Sequence, residues 1–458
     1  MKNKKFLALA LAGAMTFSIA APALAADLPE GWTPADGART TGPWYAEAVD
    51  YVQDKGLMTG TDLGFEPEVV LTTASVLQTL YNREGRPGAA QEEGQQWYAD
   101  AAAWAKANGI AELTEDADVT RGETKAILDA YCGVKYIDGA ALMQGNEDGD
   151  MMEDKTLTRA EFATILMRLD TLEPFAAAET VFIDVPEQDG IPAHTIPAIV
   201  TIPAGEGKFP AVVMLHGTGS NKHEAGGGYD MAAPAMAKAG IATIRFDFMG
   251  IDESEASYTD YCFTSANIDA KAAADYMAGL EKVDGEKLAV LGWSQGGTNA
   301  LLAAAAYPET FKAVITWAGS VTGKTDSDSF KEQYAIAKKD GFYVQEYDWR
   351  EPLHVGLRWY EENMKTDKLA ETAKIEAPIL AIQGMKDTSV TPDNAEKIVE
   401  VAKNEATRAY FIEDCDHTFN VFSGDYTAIN EAIQAGINFV KEVFGQEQVP
   451  ADEAVAER

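Results

Sequence analysis

Cysteine is scarce in this chain: Cys132, Cys262 and Cys415 are three thiols spread over 458 residues. An odd number, far apart and without Cys-x-x-Cys spacing, excludes a disulfide framework and a thiolate metal knuckle. One bridge at most could form, and buried free thiols are the expectation. Basic residues are scarce too, 37 against 73 acidic ones, for a formal net charge of -36. Phosphate-rich partners need cationic faces, so nucleic acid and anionic lipid surfaces are excluded as partners. Long apolar runs are missing everywhere except at the start. There, Lys2, Lys4 and Lys5 precede an apolar stretch from Phe6 to Ala21 and the small-x-small sequence Ala23-Leu24-Ala25. That pattern reads as a cleavable export signal over residues 1–25, leaving no membrane-spanning segment after cleavage. With 46% hydrophobic residues, the remainder can build full cores, and its length calls for two or three domains.

Between about residues 42 and 170 the sequence repeats itself. Trp44-Tyr45-Ala46-Glu47-Ala48-Val49 returns as Trp97-Tyr98-Ala99-Asp100-Ala101-Ala102. Leu71-Thr72-Thr73-Ala74-Ser75, Val119-Thr120-Arg121-Gly122-Glu123 and Leu157-Thr158-Arg159-Ala160-Glu161 align, and each precedes an apolar-periodic helix. Thr followed three residues later by Glu is a capping box. The units are too short for separate cores and are expected to pack on one another. The first unit carries Thr73 and Ser75 where the others have Arg and Glu, and the third lacks the Trp-Tyr pair. Asn146-Glu147-Asp148-Gly149-Asp150 misses the calcium-loop register and reads as a solvated turn.

This pattern resembles three S-layer homology repeats. The resemblance implies an all-α module that binds a cell-wall polysaccharide, with Arg121 and Arg159 as sugar contacts suited to a carboxylate. A decayed repeat serving only as a spacer is the alternative.

Residues 171–178 read as a linker, and 446–458 as an acidic tail. From 179 to 445, β-branched runs alternate with helical stretches. The runs are Ala211–Leu215, Ala242–Phe246, Leu288–Leu291, Ala313–Trp317, Ile379–Gln383 and Ala409–Ile412. Such alternation implies an α/β fold with a mostly parallel sheet covered on both faces, and ligands at the carboxyl ends of its strands. The run to Leu291 continues into Gly292-Trp293-Ser294-Gln295-Gly296 and then an Ala/Leu-rich helix. A serine on so tight a strand-to-helix turn must project its hydroxyl. Asp387 and His417 lie on loops after two later strands, giving the order Ser, Asp, His. Asp414 and Asp416 are rival acids but adjoin His417 in sequence. The Gly-rich turn after Leu215 offers the backbone N–H of Thr218, and that of Gln295 follows the serine; together they form a candidate oxyanion hole. His216 and Asp247 read as loop-organising residues.

Leu215-His216-Gly217-Thr218-Gly219-Ser220-Asn221-Lys222, Arg245-Phe246-Asp247-Phe248-Met249-Gly250, Gly292-Trp293-Ser294-Gln295-Gly296-Gly297 and Asp416-His417-Thr418-Phe419 resemble an α/β-hydrolase, nearest the cinnamoyl/feruloyl esterase group. The resemblance implies a serine hydrolase of small carboxylic esters, through an acyl-enzyme, without metal or cofactor. A surface peptidase on the same triad and a non-catalytic surface-array protein are the alternatives. The stretch Ser320 to Lys374 is expected to be a lid. Its aromatics Phe330, Tyr334, Phe342, Tyr343, Tyr347, Trp349, Trp359 and Tyr360 would line an aryl or acyl pocket or pack among themselves. The whole reading is an exported, wall-attached esterase.

Overall fold

A computed structural model describes residues 43–87, 95–140, 142–143, 145, 150–323 and 325–445. The expected export signal (1–25), most of the turn at 146–150 and the acidic tail (446–458) lie outside the described residues. The chain divides into two compact units, Met1–Glu173 and Pro174–Arg458.

Among its described residues the first unit holds five helices: α1 (Ala46–Asp54), α2 (Thr73–Arg83), α3 (Ala99–Ala107), α4 (Arg121–Lys135) and α5 (Arg159–Leu169). Thr72, Thr120 and Thr158 cap α2, α4 and α5 by accepting the N–H of the third residue on. Glu123 and Glu161 accept in return from the cap N–H, while the Ser75 hydroxyl lies 3.0 Å from the Thr72 hydroxyl instead. The apolar residue before each cap ties the three repeats together. Leu71 N–H donates to the Leu157 carbonyl, Leu157 to Val119 and Val119 to Leu71, at 2.9, 3.0 and 2.9 Å. Around this closed ring Val76, Leu80, Tyr131, Phe162 and Leu166 form the core. Among the described residues between Lys135 and Arg159 there is no helix.

The two arginines proposed as sugar contacts turn onto neighbouring loops. Arg159 donates to the carbonyls of Phe65 and Thr59 at 2.8 and 2.7 Å and lies over the Phe65 ring; it is half-buried. Arg121 donates to the Met151 carbonyl at 2.9 Å and is only 7% exposed, which leaves it almost no face for a sugar. This guanidinium anchors the loop at Met151.

The second unit is one eight-stranded sheet with helices on both faces. Its strands are β1 (Ala176–Val185), β2 (His194–Pro203), β3 (Phe209–Leu215), β4 (Ala242–Phe246), β5 (Val283–Trp293), β6 (Ala313–Trp317), β9 (Ile379–Gly384) and β10 (Arg408–Ile412); β7 (Phe342–Gln345) and β8 (Leu353–Gly356) form a separate hairpin. The order is β1-β2-β4-β3-β5-β6-β9-β10. From β4 to β10 every pairing is parallel; β1–β2 and β2–β4 are antiparallel. The strand β1 begins at Ala176, inside the segment read as a linker, because Ala176 pairs with Pro203 of β2. Asp189 and Gly190, both at positive φ, make the turn between the two strands.

Alternate residues of β3 serve opposite cores. Ala211, Val213 and Leu215 face the core built with α7 (Phe263–Ala278) and α8 (Gln295–Ala306). Val212 and Met214 face the one built with α6 (Gly228–Lys238) and α13 (Thr427–Phe444). Burial on both faces explains the continuous apolar runs. Between β6 and β9 lies the insertion: α9 (Asp328–Asp340), the β7–β8 hairpin, α10 (Leu357–Lys365) and α11 (Lys368–Thr372). The helix α12 (Asp393–Val401) follows β9.

Candidate active site

Strand β5 runs straight into α8, and Ser294 is the single residue between them. It sits at φ 56°, ψ −119°, a strained conformation for any residue with a side chain. Its N–H donates to the Trp317 carbonyl at 2.8 Å and its carbonyl accepts from Gly297 N–H at 2.9 Å. The turn is tight enough to require both flanking glycines. A Cβ on Gly292 would lie 1.9 Å from the Gly296 carbonyl oxygen, and one on Gly296 would lie 2.0 Å from the Leu215 carbonyl oxygen.

The structure brings Ser294, His417 and Asp387 together. His417 Nε2 lies 2.9 Å from Ser294 Oγ, and its Nδ1 lies 2.7 Å from Asp387 Oδ2. A carboxylate can only accept, so the neutral imidazole carries its proton on Nδ1 and leaves Nε2 free to accept from the hydroxyl. Asp387 is buried and fully engaged. Its Oδ1 accepts from the N–H groups of Ser389 and Val390 at 2.8 and 2.9 Å, and its Oδ2 also accepts from Gln383 Nε2 at 3.0 Å. The rival acids point elsewhere. Asp414 pairs with Lys386 at 2.7 Å, and Asp416 accepts from the N–H groups of Thr418 and Asn420.

The backbone N–H groups of Thr218 and Gln295 have no acceptor among the described residues, and both residues line a cavity of about 380 Å³. The first N–H of a helix is unpaired by construction, which accounts for Gln295. The turn carrying Thr218 is held from below by Glu224, a residue the sequence reading passed over. Its buried carboxylate accepts from the N–H groups of Gly217 and Ala225. Burial pushes this carboxyl up to about 7. Its sequence signal is faint: an acidic residue just before three glycines.

His216 is also buried in this turn. Its Nδ1 donates to the Gly217 carbonyl at 2.8 Å and its Nε2 accepts from Phe248 N–H at 3.1 Å. Burial pushes it down to about 4, so it stays neutral. Asp247 accepts from Lys222 N–H and Nζ, both at 2.7 Å, fixing the next part of the loop.

The insertion meets the same turn. Arg350 donates to the Gly219 carbonyl, and Gly219, at φ +69°, lies so close to Tyr347 that a Cβ would sit 2.9 Å from its ring. Of the insertion's aromatics, Phe330 and Trp359 line the cavity. Tyr360 packs on Phe330 and Tyr334, Phe342 stacks on His354, and Trp349 is exposed and beside Tyr347. Phe330, Tyr334, Tyr343, Tyr347, Trp359 and Tyr360 pack on the core shared with α7 and α8. Among the described residues, the rest of the cavity wall apart from Gly323 and Val390 is hydroxyl, amide and one lysine.

Among the described residues no cluster of three or more His, Cys, Asp or Glu side chains could hold a metal ion. Cys132, Cys262 and Cys415 are free and buried, and burial raises all three thiols above their ordinary value.

Residues 229–447 match the Prolyl oligopeptidase family. A 2,6-dihydropseudooxynicotine hydrolase of Paenarthrobacter nicotinovorans is 30% identical over 233 residues, which are 50% of this chain and 57% of that protein. The chain thus spans little more than half of that relative. A serine hydrolase of Mus musculus, BPHL, is 24% identical over 50% of this chain and 79% of its own length. The structure of Est1E from Butyrivibrio proteoclasticus with ferulic acid bound superposes with a TM-score of 0.46 at 20% identity, over 58% of this chain and all of that one. The sheet order and the strand–serine–helix elbow at Ser294 give the second unit the α/β-hydrolase fold.

Proposed function

We propose that the second unit is a serine hydrolase of carboxylic esters. The observation that carries the proposal is the continuous relay from Ser294 Oγ through His417 to Asp387, at 2.9 and 2.7 Å. Ser294 attacks the ester carbonyl while His417 Nε2 takes its proton. The oxyanion lies between the N–H groups of Thr218 and Gln295. His417 then protonates the leaving alcohol, and water, deprotonated by the same nitrogen, releases the acid. The small cavity, walled by hydroxyls and amides with Phe330 and Trp359, suits short or aryl acyl groups. Activity on p-nitrophenyl acyl esters and methyl ferulate, abolished by Ser294→Ala with the fold intact, is the expected outcome. Full activity in that variant refutes the assignment.

The match to the Prolyl oligopeptidase family favours a second reading, a peptidase on the same residues. Faster turnover of aminoacyl anilides than of esters would select it. An inert surface-array role predicts no reaction of Ser294 with a fluorophosphonate.

For the first unit we propose attachment to a cell-wall polysaccharide after export, with Arg159 as a sugar contact. Support comes from the threefold repeat and from Arg159 keeping part of its surface in solvent. Co-sedimentation of the mature chain with purified walls tests it; a chain that stays in the supernatant removes the claim.

A further inference from the structure

The cavity lined by Thr218 and Gln295 contains a cation without a counter-ion among the described residues. Lys368 is the one charged residue among the described residues lining it, and it is only 8% exposed. Its Nζ donates to Asn363 Oδ1 at 3.0 Å and lies 5.7 Å from the centre of the Phe263 ring. Among the described residues no carboxylate lies within 4.0 Å of it, in a chain with 73 acidic side chains. An ammonium has three donors, and here one is used.

The local structure holds the lysine in place. Asp367 caps α11 by accepting from Ala370 N–H at 3.0 Å, and Thr372 Oγ1 donates to the Lys368 carbonyl at 2.7 Å. Helix α11 packs against α8, the helix that starts at Gln295. The space in front of the ammonium is kept open by Gly323, where a Cβ would meet Lys368 Nζ at 3.4 Å. A buried, half-used ammonium is costly unless something anionic completes it. The described residues that share the cavity, Thr218, Gln295 and further hydroxyls and amides, supply no negative charge.

We infer that this cavity binds a carboxylate and that the preferred substrates are anionic esters, bearing a free carboxylate set apart from the scissile carbonyl. Lys368 takes that carboxylate while Ser294 attacks the ester, and Asn363 steers the ammonium toward it. The inference rests on the ester-hydrolase reading above and names its substrate class. Burial lowers the Lys368 ammonium from its ordinary value, and an opposing carboxylate would reverse that. Nothing is consumed in this recognition, and the chemistry at Ser294 is ordinary hydrolysis: an acyl–oxygen bond breaks, and water supplies the hydroxyl and the proton.

The test compares the mono-4-nitrophenyl ester of glutaric acid with its neutral methyl-capped counterpart, and acetylated 4-hydroxybenzoate with acetylated methyl 4-hydroxybenzoate. The first pair places the carboxylate on the acyl half and the second on the alcohol half. The wild-type enzyme is expected to favour the anionic member of at least one pair in kcat/KM. Lys368→Met should lower that preference by about 10- to 100-fold, and Lys368→Arg should keep part of it. A second measurement does not need turnover. Glutarate should slow fluorophosphonate labelling of wild-type Ser294 at concentrations where glutaramide does not. Neutral esters hydrolysed as well as anionic ones, with no protection by glutarate, overturn the inference and leave the ester reading standing. Hydrolysis of neither ester, with anilides cleaved, overturns the ester reading and the inference with it.

Discussion

Replacing Asp387 by Asn changes one atom, and the structure dictates which way the amide must face. One carboxylate oxygen accepts from two backbone N–H groups, Ser389 and Val390; the other accepts from His417 Nδ1 and Gln383 Nε2. Turning the new NH₂ toward Ser389 and Val390 would set it against two donors fixed by the backbone. Turning it toward His417 sets it against one fixed donor, Gln383, whose Nε2 also holds the Val390 carbonyl at 2.9 Å, and against an imidazole that can change tautomer. The second orientation wins. His417 must then accept at Nδ1 and carry its proton on Nε2, facing the Ser294 hydroxyl. Such a histidine cannot take the serine's proton. Loss of the base in a triad of this geometry costs about 10⁴ in kcat, or about 5 kcal/mol of transition-state stabilisation. The assay is kcat/KM on 4-nitrophenyl butyrate, with the thermal melt as a control for folding. The melt should fall only slightly, since one buried donor conflict costs about 1–3 kcal/mol. A folded Asp387→Asn enzyme within about tenfold of wild type refutes the assigned role of Asp387.

Three further outcomes follow from the same geometry. Gly296→Ala, which drives a Cβ to 2.0 Å from the Leu215 carbonyl oxygen, should destabilise the second unit by at least about 3 kcal/mol, seen as a lowered urea midpoint. Glu224, raised to about 7, adds stability that is present below its ordinary value of 4.5 and lost as pH rises toward 7; His216, lowered to about 4, adds stability that is present above 6.5 and lost as pH falls toward 4. The two slopes oppose each other, so Glu224→Gln should unmask a rise in stability of about 3 kcal/mol from pH 4 to 6.5, measured by urea melts. Arg350→Ala frees the Gly219 carbonyl, and should lower kcat several-fold and speed amide exchange across residues 217–223.

Much of the second unit was legible because its signals are local. A parallel strand buried on both faces is an unbroken apolar run, and the elbow needs glycine on both sides of its serine, so Gly292 to Gly296 mark the turn. Asp387 and His417 could be put beside Ser294 on paper because strand ends of a parallel sheet converge on one edge. What stayed hidden depends on partners distant in sequence. Ala176 to Ala178 carry no strand propensity; only β2 across from them makes them a strand. Glu224 looks like any loop acid until Gly217 is seen to donate to it. The insertion's aromatics show a composition but not a direction, and most of them turn inward. Arg121 and Arg159 share one motif, yet burial separates them, and burial is set by loops the motif does not contain.

The ring of Leu71, Val119 and Leu157 makes the first unit finite. An open stack of repeats can gain or lose a copy at either end, with each new unit covering the face its neighbour exposes. Here every repeat both gives and receives one of three circular hydrogen bonds, so there is no end to extend. Excising one repeat would leave a donor and an acceptor stranded in the core, and inserting a fourth would have to break the circle. Such a module can drift in sequence, as Thr73 and Ser75 have, while its copy number stays locked at three.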